Sequence, residues 1–182
     1  MEMGSFVTSV IIPGVISWYV AKREITSKQT TTYKELITAE RIKWLNNIRE
    51  EICNLLSTAR EMAINYIEES YILSDEEAGE PASIKKEKLD RLYDEYGNLI
   101  NQLKRSVTKI VLCINPEKDI DFRDKVRKFS EDIYNMSRDT RVEEDGFGSL
   151  IEKMEEDCQD FLKREWEQIK EEAKAMIENN AS

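Results

Sequence analysis

The 182-residue sequence contains no histidine. That absence removes the usual general base near neutral pH, the Ser/His and Cys/His nucleophile pairs, and most zinc sites. A ferritin-like di-iron centre is excluded on the same ground, because its Glu-x-x-His motif cannot be written. Cysteine is scarce: Cys53, Cys113 and Cys158 are odd in number and widely spaced, so they define no disulfide framework and no CxxC motif. Reduced thiols fit a cytoplasmic location. With 6 glycines and 3 prolines the chain has too few turn residues for a β-rich fold. It has no Gly-rich phosphate loop and no nucleophile elbow. No catalytic residue, metal ligand or cofactor is assigned, so the expectation is a protein that is not an enzyme and takes no small-molecule substrate.

Charge is abundant. Charged residues make up 35% of the chain, the formal net charge is −10, and the mean hydropathy is −0.59. A nucleic-acid surface needs clustered Lys and Arg, so this balance argues against one.

One stretch stands apart. Gly4 to Ala21, GSFVTSVIIPGVISWYVA, carries no charge, and Lys22-Arg23 closes it. A membrane-spanning helix needs roughly 20 mostly apolar residues, with a workable range of about 17–25. Trp18 and Tyr19 lie beside the basic pair, where interfacial aromatics belong. Pro13-Gly14 and four hydroxyl residues weaken the run, although membrane helices tolerate such interruptions. A cleaved signal peptide would need a basic start and a small-residue cleavage site; the only charge before the run is Glu2, and no such site precedes Lys22. Run length alone does not separate an anchor from a helix buried in a soluble oligomer. Residues 22–49 carry seven basic residues against three acidic ones. The positive-inside bias then places the N-terminus outside and the rest in the cytoplasm. An anionic lipid surface suits that basic segment.

The remainder reads as helices. Residues 22–32 form a basic juxtamembrane linker or a helical continuation, and Thr32 with Glu35 forms a capping-box pattern that predicts a helix start. Leu45, Ile48, Ile52, Leu55, Ala59, Met62 and Tyr66 follow a 3-4-3-4 spacing, predicting a helix over about 33–73 that packs against several others. Residues 74–83 read as a surface turn, with Ser83 capping a second helix over about 84–114. Its apolar end, Ile110 to Ile114, is expected to be its most buried part, and Gly97 to admit a bulky neighbour. Asn115-Pro116-Glu117 stops that helix and starts a third over about 117–137, with Asn115 as N-cap. Residues 138–148 read as a loop, with Phe147 an exposed aromatic unless it folds back. A last helix over about 149–179 opens on a Ser149/Glu152 capping box, with Cys158, Phe161, Trp166 and Ile169 on its apolar stripe.

The predicted fold is therefore all-α: a transmembrane helix (1–21), a basic linker (22–32) and a cytoplasmic domain (33–182). That domain is an antiparallel bundle of about four helices with long coiled-coil-like hairpins. Glu40, Arg41, Trp44, Arg49 and Glu50 fall close together on the first of these helices. They read as a lipid-headgroup or partner site, with Trp18, Tyr19, Lys22 and Arg23 as further contacts, or as i,i+4 ion pairing around an edge tryptophan. Trp166 with Lys163 and Arg164 reads as a binding anchor or as a core tryptophan. The acidic runs 143–145 and 155–157 lack EF-hand spacing and read as solvated charge.

Three stretches carry a resemblance: Thr38-Ala39-Glu40-Arg41-Ile42-Lys43-Trp44-Leu45 through Ile48-Arg49; Leu112-Cys113-Ile114-Asn115-Pro116; and Phe161-Leu162-Lys163-Arg164-Glu165-Trp166-Glu167 through Ile169-Lys170. Together they resemble a group of uncharacterised small bacterial and bacteriophage proteins. That group has an N-terminal membrane segment, an ER-x-x-W helix, an LNP helix break and an LK-x-EW final helix; Ile114 stands here where it often has leucine. The resemblance implies an anchor followed by cytoplasmic helices, in a prophage or mobile-element setting, with no activity to transfer. The functional expectation is a single-pass inner-membrane protein, bound to membrane lipid, that scaffolds a protein partner or associates with itself. Two alternatives are an oligomeric membrane-permeabilising effector, as a toxin or in phage defence, and a soluble helical oligomer that buries residues 4–21.

Overall fold

The computed structural model describes the backbone of residues 3–74, 81–138 and 144–180, with side chains for Thr32 and for residues 34–74, 81–138 and 146–175. Every regular element among them is a helix: α1 Met3–Leu73, α2 Ala82–Cys113, α3 Ile120–Met136 and α4 Glu144–Asn180. The fold is all-α. Among the described residues no helix is long and apolar enough to cross a membrane. The side chains of the apolar stretch 4–21 lie outside the described residues.

Trp44–Glu167 forms one compact unit, and Met1–Lys43 with Gln168–Ser182 a second. In Trp44–Glu167 the cross-helix contacts define a ring of neighbours. Between α1 and α2, Lys109 Nζ donates to Glu51 Oε1 at 2.7 Å and Asn65 Nδ2 to the Leu92 carbonyl at 3.2 Å. Between α2 and α3, the Tyr96 and Ser137 hydroxyls meet at 2.7 Å. Between α3 and α4, the rings of Phe122 and Phe161 stack at 4.1 Å and Lys125 pairs with Asp157. Between α4 and α1, Arg60 pairs with Glu155 and the Tyr66 ring lies 5.3 Å from Phe147. Residue numbers rise on one member of each pair of neighbours as they fall on the other. The bundle is thus antiparallel, with helix order α1-α2-α3-α4 around it.

The period-3.5 stripe of α1 is the spine of the core. Ile48, Leu55, Ala59 and Met62 are at most 1% exposed, and they join one cluster with Leu103 and Ile110 of α2, Val126 and Ile133 of α3, and Met154 and Phe161 of α4. Burying such side chains removes apolar surface from water at roughly 25 cal/mol per Å². The partner that the stripe demanded lies in the same chain.

Several boundaries differ from the sequence expectation. α1 runs through residue 32, so the Thr32/Glu35 pattern opens no helix. Residues 22–32 contain neither glycine nor proline, and an existing helix propagates more cheaply than a new one nucleates. α2 begins before Ser83: Pro81, at φ −59° and ψ 138°, offers its carbonyl to Ile84 N at 2.9 Å and Lys85 N at 3.3 Å. Asn115 does not cap α3. Its Oδ1 accepts from Glu117 N at 2.9 Å and Lys118 N at 3.2 Å, which closes a turn and leaves Asp119 at the N-cap position.

α4 begins at Glu144, ahead of the Ser149/Glu152 pattern. Phe147 is therefore helical and 2% exposed, not a loop aromatic. The apolar end of α2 is buried only in part: Ile110 and Ile114 are 0% and 3% exposed, but Leu112 is 79% exposed. On α4, Trp166 is 40% exposed and Glu165 takes its place inside at 3%. Gly97 meets no bulky neighbour: a Cβ built there finds nothing within 4 Å.

Candidate functional site

The proposed interface residues do not form one group. The side chains of Trp18, Tyr19, Lys22 and Arg23 lie outside the described residues. Arg41 is half-buried and pairs with Glu172, in the unit formed by Met1–Lys43 with Gln168–Ser182. Trp44 is half-buried at the edge of the core cluster, and its indole Nε1 donates to the Cys113 carbonyl at 2.9 Å. Arg49 is exposed and donates to Asn46 Oδ1 at 3.1 Å, one turn back on its own helix. Neither arginine makes the i,i+4 ion pair that the sequence spacing suggested.

The structure instead gathers parts of the three motif stretches at one corner of Trp44–Glu167. The centre is the turn Asn115–Asp119 that joins α2 to α3. Pro116 has no N–H to continue the helix, so the chain turns there. The turn delivers Lys118 and Asp119 to the side of α4 that carries Arg164 and Glu165. Lys118 Nζ donates to Glu165 Oε1 at 2.7 Å. Arg164 pairs with Asp119, and its Nε lies 3.7 Å from Glu165 Oε1. Both carboxylate side chains are 3% exposed, while Lys118 and Arg164 remain 42% and 53% exposed. The Arg164 guanidinium also lies 5.4 Å from the centre of the Phe161 ring. On the other side of the turn, the Trp44 indole binds the last carbonyl of α2.

Two acids and two bases give this cluster no net charge. A buried carboxylate is costly unless it is paired and hydrogen-bonded, and each of these is paired to a base on a different element. The arrangement therefore acts as a clamp that fixes the corner to α4. Among the described residues, no group of three or more Cys, Asp or Glu is placed to hold a metal ion. The acidic run 155–157 is in part drawn into cross-helix pairs, Glu155 with Arg60 and Asp157 with Lys125; residues 143–145 lie outside the described side chains.

The titrating groups follow from packing. Cys158 is 2% exposed, and burial pushes its thiol up to about 12, with Asp157 and Cys53 adding to the effect. Burial also raises the Tyr96 phenol, against the opposing hydrogen bond from Ser137. Cys53 and Cys113 are exposed.

The corner was only half legible in the sequence. The Asn-Pro break and the Lys-Arg-Glu-Trp run stood out, but nothing in one dimension pairs Asp119 with Arg164. The usable signal was register: Glu165 continues the Cys158, Phe161, Ile169 spacing better than Trp166 does, so a carboxylate sits on the buried face. No protein-family model matches the chain, and no curated protein or solved structure shows significant similarity to it.

Proposed function

We propose that the protein is a membrane-anchored helical interaction module: residues 4–21 cross the inner membrane, and the bundle in the cytoplasm binds a protein partner or another copy of itself. The observation that carries the reading is the uncharged run Gly4–Ala21 ended by Lys22-Arg23 and followed by an excess of basic residues. Two structural features support it. The run lies within α1, whose later part supplies the spine of the bundle core, so anchor and bundle share a helix. Ion pairs such as Lys109 with Glu51 and Arg164 with Asp119 fasten helices to each other and hold the bundle as a scaffold. The resemblance to uncharacterised small bacterial and bacteriophage proteins agrees with this architecture and suggests a prophage or mobile-element setting.

Fractionation of the full chain tests it. The expected result is recovery with membranes through high-salt and alkaline washes, and release by detergent. Recovery in the supernatant without detergent overturns the anchor and favours a soluble oligomer that buries residues 4–21. A second reading rests on Pro13-Gly14 and on Ser5, Thr8, Ser9 and Ser17 within the run. Small and hydroxyl residues favour close helix association in lipid, so an oligomer of these segments would permeabilise the membrane, and induced expression would then depolarise cells.

A further inference from the structure

Opposite sides of the Trp44–Glu167 bundle carry unlike surfaces. On the α1–α2 side, Ile64 is 56% exposed. It stands in a groove of about 330 Å³ among Glu61 and Glu68 of its own helix and Glu95 of α2. None of these three carboxylates has an ion-pair partner among the described residues; Glu61 accepts only a hydrogen bond from Ser57 Oγ at 3.1 Å. On the α3–α4 side, a second groove of about 230 Å³ has Phe129 and Met154 beneath it and Leu150 at its wall. Lys125, Lys128 and Lys153 rim it, with Asp132 and Asp157. Asp157 is already taken by Lys125, whereas Lys128, Lys153 and Asp132 have no ion-pair partner among the described residues, which leaves the rim one positive charge in excess.

We propose that a second copy of the chain docks on the first through these two faces, with Ile64 of one copy entering the α3–α4 groove of the next. The inference deepens the interaction reading above, on which it rests, by naming the partner and the surface. An exposed branched aliphatic side chain beside three unpaired acids, two of which also line an adjoining groove with Lys88 and Arg91, matches an apolar hollow whose rim carries lysines in excess of aspartates. That is the usual make-up of a protein interface, an apolar centre inside a charged rim. Complementary charge aligns the encounter, and its effect weakens as salt shortens the screening length. Helix order α1-α2-α3-α4 puts the two faces on opposite sides of the bundle, so the contact is heterologous. The pair keeps one free face of each kind, one on each copy, and association continues into a ring or a row.

The test uses the full chain, in detergent if fractionation shows that it needs it, and sedimentation velocity as the readout. The wild type is expected to associate at low salt and to come apart near 1 M salt, where screening acts over roughly 3 Å. Glu61→Lys with Glu68→Lys makes both faces basic, and Lys128→Glu with Lys153→Glu makes both faces acidic. Each double variant alone is expected to be monomeric, and an equimolar mixture to associate again, because unlike faces are restored between the two. Ile64→Ala, at an exposed position, is expected to weaken association about tenfold, and it decides the matter if a charge-reversed chain fails to show normal helicity by circular dichroism. A wild type that stays monomeric, association indifferent to both reversals, or a mixture that stays apart overturns the proposal. An anchor that fails fractionation while this association persists, or the converse, separates the two readings.

Discussion

Cys158 shows what burial does to a single group. The thiol sits in the core, so its charged form is disfavoured and its folded pKa rises from the ordinary 9.0 to about 12. A raised folded value means that the protonated thiol contributes stability below about pH 9, and that this contribution is lost as pH climbs from 9 towards 12. The stability gap between wild type and Cys158→Ala, measured by denaturant melts, should therefore narrow over that window. Alkylation with iodoacetamide at neutral pH should label exposed Cys53 and Cys113 and spare Cys158 until denaturant is added, as mass spectrometry would show. Gly97 makes the opposite case. It is exposed inside α2, and a Cβ there meets nothing within 4 Å. Gly97→Ala should stabilise the fold by about 0.5–1 kcal/mol through helix propensity and a less flexible unfolded chain, read as a higher denaturant midpoint. The composition showed a helix weakened at that point, but empty space beside it is a tertiary fact.

Element identity was legible where the apolar period was long. The α1 stripe from Leu45 to Tyr66 and the α3 stripe Phe122, Val126, Phe129, Ile133 both face inward as their spacing requires. Element ends were less legible, because a capping pattern is only local. Thr32/Glu35 and Ser149/Glu152 have the right residues, yet both lie inside helices that had already started. Asn115 was recognisable as a stop signal, but its side chain closes the turn that precedes α3. Asn115→Ala removes the acceptor for two backbone N–H groups and should cost about 0.5–2 kcal/mol. Loss of the corner should also show as faster amide exchange at Glu117 and Lys118. Stability unchanged within error would show that the turn stands on Pro116 and the clamp alone.

For the whole molecule, the large core cluster lies within Trp44–Glu167, so a chain that begins at residue 33 retains it. That truncation should keep cooperative thermal unfolding and strong helical circular dichroism while leaving the membrane fraction. Aggregation or a lost melting transition would instead place residues 4–21 in a subunit contact. Sequence alone determined the class of fold: heptad-like spacing, scarce glycine and proline, and high charge leave amphipathic helices that must bury one face against another. It also determined where an uncharged run meets basic residues, because hydropathy is additive along the chain. Only the tertiary structure decided helix order, the burial of Glu165 in place of Trp166, and the union of Asp119 with Arg164 and of Trp44 with the end of α2. Those depend on which faces meet across dozens of intervening residues, and a period fixes the width of a face without naming its neighbour.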